Sequence, residues 1–165
     1  AAADLHIDGD GTVEETAQRI EGVDEVNILV LNGPNLNMLA PRPGIYGRGT
    51  YEDLQSLIRG HAQKRGVSVS FFNRTTGALV DAIQQAYYDG TDGIIFNPAA
   101  YTHTSVALLD ALKAVRLPAA EVHLTDIDAR EPFRRISYVG MACGAHFKGL
   151  GFEGYRRAIR WLCGL

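Results

Sequence analysis

Apolar and polar positions fall into short blocks separated by glycine, proline and asparagine along most of the chain. Val26–Leu31 is an apolar run that ends at Asn32-Gly33-Pro34-Asn35, which reads as a strand entering a loop. Thr50 with Asp53 three positions later resembles a helix N-cap with an acidic partner. It predicts a helix to about Arg65, stopped by Gly66. Val67–Phe72 alternates as a strand. Ala78–Asp89 carries a helical pattern ending at Gly90. Gly93–Phe96 is a buried strand broken by Asn97-Pro98. Ser105–Val115 has one apolar helical face. Ala119–Leu124 is a fourth strand, Val139–Ala145 a fifth, and Gly154–Leu162 a last helix.

Strands that alternate with helices imply an α/β fold with a parallel sheet and right-handed crossovers. Five strands fit the flavodoxin-like order 2-1-3-4-5 with helices on both faces. Ligands then bind at the carboxyl ends of strands 1 and 3, where the strand order reverses. The loops that begin at Asn32 and Asn97 follow those two strands, and Glu121–Thr125 ends the fourth strand beside them. Three polar loops therefore converge on one crevice. Residues 1–25 read differently, as a mobile N-terminal extension with one short helix, Val13–Ile20, ahead of a single domain at 26–165. Asp8-Gly9-Asp10-Gly11-Thr12 resembles part of a calcium loop. Counted from His6, however, its twelfth position is Ala17, where a Glu is needed.

The 165 residues are 46% hydrophobic and 21% charged, which suits one domain with a substantial core. A net charge of −3 gives no reason to expect general affinity for nucleic acid or an acidic membrane surface. Arg outnumbers Lys 13 to 3. That bias fits recognition of an anionic ligand, but genomic composition accounts for it more simply. Cys143 and Cys163 have neither metal-ligand nor disulfide spacing and read as buried free thiols. No apolar run reaches membrane-spanning length, and the acidic, polar N-terminus does not read as a secretory signal. A soluble cytoplasmic protein is the expectation.

The candidate chemistry sits in the three loops. The first runs from Asn32 through Asn35, Asn37, Arg42 and Tyr46 to Gly47, with glycines and prolines throughout, as in a lid. An Arg held near a Tyr stabilises the phenolate, although an Arg stacked on a surface Tyr would show the same residues. The second loop, Asn97 to Ser105, opens the third helix, where backbone N–H groups and the helix dipole favour an anion. His103 stands there as a ligand for a carboxylate or hydroxyl, or else packs beside an ordinary Thr104 or Ser105 cap. In the third, Glu121 and His123 share one face of a strand, and a carboxylate beside an imidazole suits a general acid. Arg130 and Arg134 are four apart and would share a helical face, either as anion ligands or as a solvated salt-bridged surface.

Two other signals carry less. Gly149-Leu150-Gly151-Phe152-Glu153-Gly154 matches a dinucleotide-binding pattern, but it comes after the last predicted strand with no strand to follow. Lys64 and Lys113 lie on predicted helix surfaces and Lys148 in a glycine-rich turn, so no Lys is placed for imine chemistry.

Taken together, Asn-Gly-Pro-Asn-Leu-Asn at 32–37, Asn-Pro-Ala-Ala-Tyr-Thr-His-Thr-Ser-Val-Ala-Leu at 97–108, and Glu-Val-His-Leu at 121–124 with Ala-Arg-Glu at 129–131 resemble the type II dehydroquinases. The resemblance covers roughly Val26 to Leu162. It implies dehydration of 3-dehydroquinate without a metal or cofactor. Tyr46 would be the base, as a tyrosinate whose pKa Arg42 lowers, and Asn35 would place the base and a water. His123 would be the general acid, oriented by Glu121. Asn97, His103, Arg134 and the backbone at Leu124 and Thr125 would hold the substrate's hydroxyls and carboxylate. Asp110 would come from a neighbouring subunit, in a homo-oligomer that is a dodecamer built of trimers. The chain departs from the family pattern at Arg74-Thr75-Thr76-Gly77, in a first loop one residue shorter, at Thr125, and at Asp126, which would add a negative charge beside a bound carboxylate.

Two other readings remain at this point. One is a divergent relative that acts on another hydroxylated cyclic ketoacid, motivated by Asp126 and the 74–76 stretch. The other is a non-catalytic flavodoxin-like binding domain. Arg42, Tyr46, His103 and His123 together weigh against the second, because a binding module needs no acid–base pair.

Overall fold

The computed structural model describes residues 25–39 and 49–164. The extension before Glu25, its expected Val13–Ile20 helix, and Arg42 and Tyr46 lie outside the described residues.

Five parallel strands, β1 (Val26–Asn32), β2 (Val67–Asn73), β3 (Gly93–Asn97), β4 (Ala119–His123) and β5 (Ala145–Lys148), form one sheet in the order β2-β1-β3-β4-β5. Helices α1 (Tyr51–Gln63) and α4 (Glu153–Cys163) pack on one face, and α2 (Thr76–Tyr88) and α3 (Val106–Val115) on the other. Successive strand residues feed opposite cores: Val30 and Ile95 point toward α1 and α4, Leu31 and Ile94 toward α2 and α3. Because both faces are covered, β3 and β4 are buried along their whole length, β3 through its apolar run and β4 with Glu121 and His123 enclosed as well.

Local chemistry sets the helix limits. Thr50 and Asp53 form a reciprocal capping box, with Asp53 N–H donating to Thr50 Oγ1 at 3.0 Å and Thr50 N–H to Asp53 Oδ2 at 2.8 Å. Gly66, at φ 64°, takes the left-handed turn that ends the same segment.

The fifth strand corrects the sequence reading. Val139–Ala142 is a 3-10 helix, and the strand is Ala145–Lys148. The earlier stretch is apolar but does not alternate, and Val139 is buried in the α2–α3 core by a helical turn. The true strand was masked by its polar members. Ala145 and Phe147 pack toward α4, whereas His146 and Lys148 occupy the other face of an edge strand. Lys148 thus ends a strand, rather than sitting in the turn, and pairs with Asp128 at 3.2 Å. Neither cysteine is fully buried as expected: Cys163 is exposed and Cys143 half-buried, and the burial it has, with Glu121 nearby, pushes the Cys143 thiol up to about 12.

Candidate active site

A pocket of about 170 Å³ opens at the carboxyl ends of β1, β3 and β4. The β1 loop gives Pro34, Asn35, Leu36 and Leu39. The β3 loop gives Asn97, Ala99, Ala100 and His103. The β4 loop gives His123, Leu124, Thr125, Ile127, Arg130 and Arg134. This is the crevice that the strand order places at the switch point.

The first two loops are locked to each other. Gly33 N–H donates to Asn97 O at 2.7 Å, and a Cβ on Gly33 would lie 2.3 Å from Pro98 O, so no larger residue fits. Two non-glycine residues on the pocket wall hold left-handed backbone, Asn35 at φ 70° and Ala99 at φ 52°. Asn adopts this readily; Ala does so at a cost met by its surroundings. Asn97 Oδ1 accepts the Ala99 N–H at 3.2 Å, which fixes the amide at the pocket edge. Beneath the loops Tyr155 donates to Asn32 Oδ1 at 2.7 Å, and Asn32 Nδ2 donates to Tyr51 at 3.3 Å. Burial pushes the Tyr155 phenol above its ordinary range, so this tyrosine stays a neutral strut.

Glu121 and His123 share a face of β4, as their spacing requires, and His123 Nε2 lies 2.8 Å from Glu121 Oε1. Thr102 and Ser137 donate to the same oxygen at 2.6 and 2.7 Å. Burial by itself would raise the Glu121 carboxyl. The hydrogen bond and charge of His123, with those two hydroxyls, outweigh it and hold the group down at about 2. Glu121 is therefore an anion, and it fixes the imidazole with Nε2–H toward the carboxylate. His123 Nδ1 is left without a hydrogen-bond partner among the described residues, on a ring that lines the pocket. Thr102 and Ser137 gave no sequence signal, because a hydroxyl is informative only once its partner is known.

His103 Nδ1 meets the Ile136 carbonyl at 2.7 Å; the carbonyl can only accept, so Nδ1 carries the proton. Burial lowers its pKa, with Arg134 and His123 adding to this, so the neutral ring offers Nε2 as an acceptor. His103 does not sit at the α3 terminus. It belongs to a 3-10 helix, Ala99–His103, and α3 begins at Val106 with Ser105 as an ordinary N-cap on Leu108 N–H at 3.2 Å. The helix-dipole argument for an anion there falls away.

Arg130 and Arg134 both line the pocket, but not from one helical face. Pro132 divides the segment into two 3-10 turns, Ile127–Ala129 and Pro132–Arg134. Glu131 lies between them, 3.6 Å from Arg130 Nε and 2.9 Å from Arg134 Nε. Asp126 does not face the pocket. It is exposed and caps Asp128 N–H at 3.0 Å, so its charge is spent on the turn. Asp110 is exposed on α3 and does not line this pocket. Among the described residues, no cluster of three or more His, Cys, Asp or Glu could hold a metal, and no helix is long and apolar enough to cross a membrane.

Residues 26–163 match the family described as Dehydroquinase class II. The chain is 46% identical over 136 residues to 3-dehydroquinate dehydratase of Lachnoclostridium phytofermentans, covering 81% of this chain and 94% of that protein. It is 49% identical over 135 residues to 3-dehydroquinate dehydratase of Methylococcus capsulatus, covering 81% and 91%. The crystal structure of type II dehydroquinase from Butyrivibrio crossotus superposes with a TM-score of 0.83 at 42% identity, covering 86% of this chain and 99% of that one. The pocket, its buried Glu–His pair and these likenesses agree: the chain belongs to the class II dehydroquinase family.

Proposed function

We propose that this protein is a 3-dehydroquinate dehydratase that eliminates water from 3-dehydroquinate to give 3-dehydroshikimate. The observation that carries the reading is His123, which turns one ring nitrogen to a buried anionic Glu121 while its ring lines a pocket equipped with Asn35, Asn97, His103 and Arg134. In this reading the ketone acidifies the neighbouring C–H, and Tyr46, as a tyrosinate favoured by Arg42, takes that proton. The enolate is held by hydrogen bonds, with Asn35 placing a water beside it. The electron pair then expels the hydroxyl, which leaves as water with the proton of His123. His103 Nε2 accepts from a substrate hydroxyl. Asn97 and the backbone of Leu124 and Thr125 fix the ring, and Arg134 faces the carboxylate. Acid and base are separate groups with opposite demands on pKa, which allows both to work at one pH. No cofactor enters the scheme. Asp110 acts on the site of a neighbouring subunit, in a trimer-based dodecamer.

The test is ultraviolet absorbance of the conjugated enone on mixing the purified chain with 3-dehydroquinate. A steady rise that survives exhaustive chelation is expected. Absence of both turnover and binding of 3-dehydroquinate would overturn the reading.

A further inference from the structure

Glu121 has two oxygens, and the site described so far uses one. Oε1 receives His123, Thr102 and Ser137. Oε2 is met by His146 Nδ1 at 3.4 Å. Register explains this placement: β4 and β5 are parallel with Glu121 opposite His146 and His123 opposite Lys148, so neighbouring side chains share a face. Gly140 closes the arrangement from the 3-10 helix. A Cβ there would lie 2.6 Å from Glu121 Oε2, 2.7 Å from Ser137 Oγ and 3.2 Å from His146 Cε1. Two imidazoles thus share one buried carboxylate, one lining the pocket and the other, with its side chain 44% exposed, open to solvent on the far side.

We propose that His146 is a positioning residue for the proton donor: it holds the second oxygen of Glu121 and thereby governs how tightly His123 keeps its proton. The role rests on the reading of His123 as the acid. As an N–H donor, His146 draws part of the carboxylate's charge toward Oε2; once protonated, it opposes the charge of His123 directly. Either form loosens the His123 proton, and loss of the donor tightens it. On the pocket side His103 and Arg134 also face His123, but neither hydrogen-bonds Glu121, and the groups near Oε2 do not substitute for His146. Lys148, on the same strand face, is paired with Asp128, and Cys143, in the segment before β5, is an uncharged thiol. Asp110, Lys113 and Arg116 of α3 are exposed and make no hydrogen bond to His146 among the described residues.

The experiment is an NMR titration of the His123 ring in the full chain, for wild type, His146→Leu and His146→Gln, with kcat/KM measured across pH alongside. His146→Leu should raise the His123 midpoint by about half a pH unit, and the alkaline limb of kcat/KM should move with it. His146→Gln keeps a donor but cannot titrate. It should hold the wild-type midpoint and abolish the second inflection that His146 protonation imposes on the wild-type curve. A single-step wild-type curve that superimposes on that of His146→Gln would overturn the inference, and so would an unmoved midpoint in a folded His146→Leu protein. The ring titration is independent of turnover. Coupling in a chain without dehydratase activity would sink the functional reading alone, and turnover without coupling would sink only this inference.

Discussion

Glu121 concentrates the electrostatics of the site in one side chain. Burial favours its neutral form, yet His123, Thr102 and Ser137 hold it at about 2, against an ordinary value of 4.5. Between those values the unfolded chain binds a proton that the folded chain does not. The group therefore stabilises the fold above 4.5, and that contribution is lost as pH falls toward 2; it is on the order of 3 kcal/mol. The wild-type urea midpoint should drop steeply across this window, and that of Glu121→Gln should be flatter. Equal slopes would place the acid sensitivity elsewhere. His123→Ala removes the proposed donor itself and should lower kcat by the ~10²–10⁴ expected for a lost general acid. A change confined to KM would take His123 out of that role. His103 carries the opposite expectation: with its Nδ1–H donated to the Ile136 carbonyl, it offers the pocket only an acceptor, so His103→Ala should weaken substrate binding more than it slows turnover.

Among the elements, the β1 and β3 loops show how backbone contacts set the pocket. They touch without side chains between them, at Gly33 and Pro98. Gly33→Ala forces the two apart, because the atom 2.3 Å from the new Cβ is a backbone oxygen with nowhere to turn. A loss of about 1–3 kcal/mol in denaturant unfolding is expected, with weaker ligand binding, since Asn35 and Asn97 ride on those loops. An unchanged midpoint would mean that the loops are free to separate. By contrast, Thr50→Ala breaks only a cap, and should cost about 1 kcal/mol without altering kcat.

For the molecule as a whole, the proposed assembly is the property to test. Asp110 is exposed and off the pocket, and Val106, Phe133, Ile136 and Met141 are large apolar side chains left exposed. If Asp110 serves a neighbour's site, two inactive variants should complement each other. Co-refolded Asp110→Ala and His123→Ala chains should recover activity that neither has alone, because an intact His123 then meets an intact Asp110 across the boundary. No recovery, or full activity in a monomer by sedimentation, would end the intersubunit assignment.

The sequence alone determined the strand order, the three loops and most element limits. The loops and limits follow from local causes: apolar periodicity, the Thr50–Asp53 box, and glycine at Gly66; the strand order came from the alternation of strands with helices, which only a few parallel topologies accommodate. It also paired Glu121 with His123, because two residues on a strand must share a face. Family motifs supplied Asn35, Asn97, His103, Leu124, Thr125 and Arg134, all of which the fold brings to one pocket. Where the pattern was not local, the sequence misled or was silent. An apolar stretch at Val139–Ala142 passed for a strand, and the half-polar edge strand behind it went unseen. Asp126 looked like a charge in the site until a turn claimed it. Tyr155 and Asn32, 123 positions apart, met only in three dimensions, and so did Thr102, Ser137 and His146 around Glu121. Those contacts depend on register between strands and on how closely backbone can approach at Gly33 and Gly140, which tertiary packing alone decides.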